Sequence, residues 1–598
     1  MKLRDRIRTD VEQRTSLSRW IRILAVPVAL AIVISACGDS SESSDGGDSG
    51  GASTTAAPST TLQPQTGGTL DFAAYSQIAG LDPLVALGNG TSGAIQMAAV
   101  YDTLMRYDLD SKTYKPQLAD SLTGNADSTE WTLKLRAGIK FTDGTDLNAE
   151  AVQFSLQRHR VGTPNGPKVA DCAQFIACPR NSRATNVYVA LIKDVQVVDA
   201  LTVKVTLSQP WASFPYTFST EPGMIPSPTA LKKCDGTKNP NACDFNLKPV
   251  GAGPFTVTAF KTGESIEMAR NPSYWNGAPY LDGLKFVSLG DTGGDRTYDA
   301  LKTGNVQGAY LRIPLTVATA KADKVIGFSS IDQAGEIMLM NEGVTVACVA
   351  GKPEPLCVGK PDGQTPTTPA TANLKVRQAI AAAYNPTVFN ERVYSGKGLP
   401  DTALFQKSFP WDPGVAGPKY DLDLAKKLVT EAKTEGWNGS LRVLFTNTAN
   451  DQSAAVALEG MLKAAGINAT VDTSKESTAQ QQVVTTLKDF DLARWGTSIG
   501  PDDSAIWAVA QNLTSTSTSN RPGFKSAKVD QAVKDLLAAK SDDQKKAAYK
   551  IVAEEYNAQL PWINYTAVET LKAFSPKVHG VVPSHRNNVY FDKAWMEK

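Results

Sequence analysis

A chain of 598 residues with 42% hydrophobic and 20% charged residues has the make-up of a soluble globular protein, and it is too long for one hydrophobic core, so two or three domains are expected. Its 61 basic and 60 acidic side chains leave a formal net charge of +1, with no basic excess to hold a nucleic acid. Beyond residue 34 no long apolar segment follows, which excludes a channel or permease built of membrane helices.

The chain opens with Arg4, Arg6, Arg8, Arg14, Arg19 and Arg22 ahead of the apolar run "ILAVPVALAIVI", which Pro27 interrupts. A charged start, an apolar core too short for a comfortable span and a small-residue end have the form of a secretory signal. The closing "ISAC", Ile34 to Cys37, resembles the bacterial lipobox, whose cysteine is lipidated and becomes the new N-terminus. Residues 1–36 are therefore expected to be a lipoprotein signal peptide and Cys37 the lipidated residue; an ordinary signal with an incidental cysteine is the alternative. Two or three acyl chains hold a protein at a membrane where one is marginal. From Gly38 to Thr66 the chain is rich in Gly, Ser, Thr, Asp and Pro and has no aromatic residues, a composition that cannot offset chain entropy by burial. With Cys37 it makes a disordered linker over 37–66 whose r.m.s. span is roughly 30 Å.

The remaining cysteines fall into close pairs, Cys172 with Cys178, Cys234 with Cys243 and Cys348 with Cys357. In an exported protein this clustering favours local disulfides among the possible connectivities. A zinc site is the weaker reading, since the spacings are not CxxC and no histidine stands beside a pair. Neither a metal nor another cofactor is expected.

In the body, "TLDFAAY" from Thr69 reads as a strand and "SGAIQMAAVYDTLMRYD" as a helix. "WTLKLR" alternates as a half-buried strand, "DGT" makes a turn, and "LNAEAVQFSLQR" reads as a helix with Leu147, Val152, Phe154 and Leu156 near one side. Pro116, Leu118, Ala119, Trp131, Leu135, Arg136, Gly138, Phe141, Asp143, Gly144, Ala149, Val152 and Phe154 stand in an order that resembles the signature of the extracellular solute-binding proteins of the peptide and nickel class. These are the dipeptide- and oligopeptide-binding proteins of ABC importers. "PVGAGPFTV", "RNPSYWNGAPYLDGLKF", "NLKVRQAIAAAYNPTVFNERVYSGKG", "YDLDLAKKLVTEA" and "FDLARWGTSIGPDD" follow in the order of that family, so the likeness covers essentially 67–598.

The resemblance implies an α/β, two-lobe periplasmic-binding-protein type II fold of the large, three-domain class, with a hinge and an interlobe ligand cleft. One lobe would comprise 67–105, 225–312 and 561–598, with an extra domain inserted at 106–224, and the other lobe 313–560. Crossings near Ile313 and Pro561 would form the hinge. Solute entering between the lobes would stabilise their closed form. The closed form would dock on an ABC permease served by separate ATPase subunits, because the chain has no GxxxxGK[ST] phosphate loop of its own. The expected protein is a monomer without enzymatic turnover, exported and lipid-anchored to the outer face of the cell membrane. Its expected solute is a peptide, with nickel chelates, haem and oligosaccharides as alternatives.

For the site, the resemblance points to the segment after the first strand, with Tyr75, Ser76 and Gln77, and to "RWGTSIGPDD" in the second lobe. There Trp495 offers an aromatic wall or is a core residue. Gly496 allows close backbone approach, with Thr497 and Ser498 beside it, and Asp502 and Asp503 meet a cation or sit in a solvated turn after Pro501. Peptide-binding members often carry an aspartate three residues after that tryptophan, where it pairs with the α-ammonium. Here the position is Ser498, which cannot neutralise a desolvated cation.

Other motifs are weaker. Gly88, Gly90 and Gly93 form a GxGxxG, but no tight βαβ unit or ribose-binding acid accompanies it, so it reads as a loop entering a helix. His159, His579 and His585 belong to no HExxH or GxSxG and read as surface or satisfied residues. An extracellular hydrolase and a receptor that does not transport are the competing function classes.

Overall fold

The computed structural model describes residues 62–76, 78, 80–84, 86, 93–168, 189–234, 243–585 and 587–598. The signal segment, the linker up to residue 61, Cys37, Gln77, Gly88, Gly90, Cys172 and Cys178 lie outside the described residues. The chain divides into two units, Met1–Leu62 and Gln63–Lys598, and the strands and helices below belong to the second.

Leu70, Phe72 and Ala73 are buried and set the strand Thr69–Ala74 inside a ten-stranded sheet. On one side of it lie Gly283–Ser288, Ser265–Arg270 and Phe255–Lys261; on the other, Gly308–Leu311. Two long antiparallel strands come next, Trp562–Phe574 and Ile326–Met340. Beyond them are Leu492–Gly496, Ser440–Thr446 and, at the edge, Asn468–Lys475. Each half of the sheet holds a parallel trio, one around Thr69–Ala74 and one around Ser440–Thr446.

The long pair changes neighbours half-way. Its first part, where Ser329 pairs with Leu571, lies beside Gly308–Leu311, and its second, where Glu336 pairs with Thr566, lies beside Leu492–Gly496. Between them the register slips at 333–335. Gly335 occupies this slip because a Cβ there would stand 2.4 Å from Val568 Cγ2.

Residues 119–207 carry a separate four-stranded antiparallel sheet of Ala119–Gly124, Glu130–Leu135, Thr202–Leu207 and Ile192–Asp199. Against it lies the helix Ala149–Arg160, started by the Asn148 side chain accepting from Ala151 N at 2.9 Å and burying Val152 and Leu156. Phe154, on the same face by sequence, is only half-buried.

The helix expected to run from Ser92 into "MRYD" is shorter. It spans Ala94–Tyr101 and stops at Asp102, whose φ of 56° leaves the helical region. The carboxylate of Asp102 accounts for the stop: it accepts from Thr103 N at 2.8 Å, Arg106 at 2.9 Å, Gln117 at 3.0 Å and Tyr274 Oη at 2.5 Å. Met105–Asp108 then pairs as a strand with Thr113–Pro116. At the helix start Gly93 has a φ of 121°, conformation that favours glycine.

Cys234 bonds Cys243 and Cys348 bonds Cys357. The first pair sits in a large core with Tyr101 and Phe245, the second in a small satellite cluster with Val346.

Candidate functional site

In an α/β sheet a ligand crevice forms outside the carboxyl ends of parallel strands. Thr69–Ala74 delivers Tyr75 and Ser76 to such an end, and both are half-buried. The Tyr75 ring meets Tyr310 edge-on with centroids 5.7 Å apart, and the Arg312 guanidinium lies 5.7 Å above it. Arg312 follows the strand Gly308–Leu311 and reaches Glu336 Oε1 at 3.2 Å. From the other trio, Arg494 approaches Glu336 Oε2 at 2.5 Å and, through Nε, Asp451 Oδ1 at 3.2 Å. One carboxylate next to the register slip thus joins guanidinium groups from both halves of the sheet.

Exposure sorts these charges. The side chains of Glu336 and Asp451 are 9% and 3% exposed, while those of Arg312 and Arg494 are 21% and 26% exposed, so solvent meets the cations with the acids beneath. Burial works against the charge on both arginines, but Glu336 together with Tyr75, Tyr310 and Asp332 around Arg312, and with Tyr565, Asp451 and Tyr394 around Arg494, outweighs it and raises their pKa values. Tyr565 and Tyr394 beside them are held neutral, first by burial and then by Glu336.

Gly496, opposite Glu336 in the ladder, is exposed, and a Cβ there would meet nothing nearer than Gly335 O at 3.7 Å. Trp495 is half-buried, packs on the core, and carries the Arg521 guanidinium 4.9 Å from its ring. Thr497 is buried beside Asn512 Nδ2 at 3.3 Å, and Ser498 is half-buried. Tyr75 and Gly496 therefore come to one place, around Glu336.

The two aspartates do not join them, nor do they form a solvated turn. Asp502 and Asp503 are 2% and 6% exposed. Asp503 is held by Lys545 Nζ at 2.6 Å and Tyr114 Oη at 2.9 Å; Asp502 Oδ1 accepts from Ser504 N at 2.9 Å while its Oδ2 faces His585 Nδ1 at 3.8 Å. Contacts from residues 114, 545 and 585 remove both from solvent, and no local pattern after Pro501 encodes them. Burial, then these two carboxylates, raises the pKa of Tyr114.

The histidines also depart from expectation. Only His579 is a partly exposed, paired residue, 2.6 Å from Glu597. His159 is 1% exposed with both ring nitrogens lacking a partner among the described residues, and His585 is 1% exposed with Nδ1 in the same state. Among the described residues no group of three or more His, Cys, Asp or Glu could hold a metal, and no helix is long and apolar enough to cross a membrane.

Sequence reasoning missed Arg312, Glu336 and Arg494. Arg494 was within reach, directly before Trp495 in a quoted motif. Glu336 carried no signal, lying inside a strand of fifteen residues, Ile326–Met340.

Residues 113–518 match the family described as bacterial extracellular solute-binding proteins, family 5. The chain belongs to that family. Similar family 5 proteins include the glutathione-binding protein GsiB of Escherichia coli (strain K12), 25% identical over 520 residues covering 85% of this chain and 90% of GsiB. GsiB of Salmonella choleraesuis is 24% identical over 545 residues, 87% of this chain and 96% of the relative. The fold is that of the oligopeptide-binding protein AppA from Bacillus subtilis, solved with a nonapeptide, at TM-score 0.68 and 20% identity over 90% of this chain and 100% of AppA. It is also that of NikZ from Campylobacter jejuni, solved with Ni(L-His), at TM-score 0.64 and 19% identity over 88% and 97%. The family 5 protein is thus an exported solute-binding component of an ABC importer with a type II periplasmic-binding fold, in a family of binding proteins and not of enzymes.

Proposed function

We propose that the chain captures a peptide between two lobes and hands it to an ABC permease, held to the outer face of the membrane by lipid on Cys37. Residues 67–105, 225–312 and 561–598 make one lobe, 313–560 the other, and 106–224 an insertion. The hinge lies in the two long strands that the crossings near Ile313 and Pro561 join, and their register slip at 333–335, where they change neighbours, marks its middle. The observation that carries this reading is the meeting of Arg312 and Arg494, one from each parallel trio, at Glu336. Lobe movement changes their separation, so solute there is sensed by both lobes. The glutathione-binding relatives and the neighbour holding a nonapeptide support a peptide solute.

The test is thermal stability after unfolding and refolding to strip co-purified solute, read against di- to octapeptides, glutathione, nickel chelates, haem and oligosaccharides. A solute at 100-fold its Kd adds about 2.7 kcal/mol. An upward shift with peptides alone supports the proposal; a shift only with another class replaces the peptide, and none with any class removes solute capture.

A further inference from the structure

Residues 106–224 and 504–545, distant in sequence, meet along a seam. Trp211 is fully buried and packs edge-on against Trp507, with ring centroids 4.8 Å apart at 71°. Next to it Ala212 N donates to Leu537 O at 2.7 Å, Tyr114 Oη donates to Asp503 Oδ2 at 2.9 Å, and Lys540 Nζ reaches the Ala126 carbonyl. His585 Nε2 lies 2.9 Å from Ser219 O, and its Nδ1 faces Asp502 Oδ2 at 3.8 Å.

Trp211 and Trp507 share one hydrophobic cluster, and two features of the seam suit it to opening. Asp502 Oδ2 and His585 Nδ1 have no hydrogen-bond partner among the described residues, although both residues are almost fully buried. Water satisfies both as soon as the surfaces part. Packing is also incomplete: a groove of about 580 Å³ lined by Lys112, Tyr114, Trp131, Asp542 and Lys545 runs beside the contact. Parting strands no charge, because Asp503 keeps Lys545 from its own side and gives up only the tyrosine hydroxyl.

We propose that this seam is the clasp of the closed protein: residues 106–224 act as a jaw whose Trp211 reaches Trp507 when the lobes close and leaves it when they open. The inserted segment is then part of the closing device, and the hinge floor around Glu336 is a separate contact. The proposal rests on the lobe-closure reading above.

Two indole rings at this distance couple and give a paired circular-dichroism band. Trp211→Phe and Trp507→Phe should each delete the same band, which assigns it. Circular dichroism and small-angle scattering are then recorded on the full chain, stripped of solute and again with glutathione or an equimolar tetrapeptide library. The expected result is a larger radius of gyration without the band in the stripped protein, and recovery of both changes with solute. A band that persists while the radius grows overturns the clasp and leaves solute capture standing; no change in either quantity with either probe overturns the clasp, and the melting experiment above then decides solute capture by itself. Should the tryptophan variants fail to fold, Tyr114→Phe removes one hydroxyl and no ring. It should release bound probe about tenfold faster, as loss of a hydrogen bond to a charged group does, and an unchanged release rate counts against the clasp.

Discussion

Arg312 lies 3.2 Å from Glu336, across the point where the central strands pass from one half of the sheet to the other. Since Glu336 also holds Arg494, replacing it by glutamine leaves two partly buried guanidinium groups without their shared carboxylate. Glu336→Gln is expected to lower stability by roughly 3 kcal/mol, seen as a lower urea midpoint at unchanged slope. An unchanged midpoint would mean that solvent already carries these charges.

Gly335 tests the slip itself. Its missing side chain would lie 2.4 Å from Val568 Cγ2 and 2.9 Å from Val568 N, so relief requires the backbone to move. Gly335→Ala should cost about 1 to 3 kcal/mol in thermal unfolding, whereas Gly460→Ala, in the exposed interior of the helix Ala449–Ala464 with nothing within 4 Å, should stabilise by up to about 1 kcal/mol.

The disulfides should differ in reach. Cys234–Cys243 lies in the core that includes Phe72, Tyr101 and Phe245, while Cys348–Cys357 shares its cluster with Val346 alone among buried residues. Changing the first pair to serine should lower the main transition by about 2 to 3 kcal/mol. Changing the second should raise hydrogen exchange around 345–366 and leave the main transition in place.

Glu342 gives a pH dependence with a definite sign. Burial pushes its carboxyl up from 4.5 to about 7, with Arg377 at 3.9 Å opposing only in part. Between those values the folded chain binds the extra proton, so this group's contribution to stability falls as pH rises toward 7. Glu342→Gln should therefore be more stable than the parent at pH 8, by on the order of 2 kcal/mol, and nearly equal to it at pH 4.5. The comparison is made by urea unfolding at the two pH values.

His159 acts in the opposite direction. Burial, with Arg158 adding to it, depresses its pKa from 6.5 to about 3. The unfolded chain takes up the proton first, and stability is lost as pH falls below 6.5. His159→Gln should flatten that acid limb while leaving the profile above pH 7 unchanged.

The sequence by itself determined the family and most of the local structure. Alternation in Glu130–Leu135, the helical pattern of "LNAEAVQFSLQR" and the ordered motifs through "FDLARWG" are short-range signals, set by side-chain periodicity. Local cysteine pairing was legible for the same reason at 234–243 and 348–357. Tertiary structure alone decided that both trios share one sheet, that Asp502 and Asp503 are buried, and that Glu336 gathers two arginines. In each case the deciding partner comes from another part of the chain: residue 494 for 336, residues 114 and 585 for 503 and 502. A buried charge is set by such a partner and by loss of water, and neither leaves a periodic trace in the residues around it.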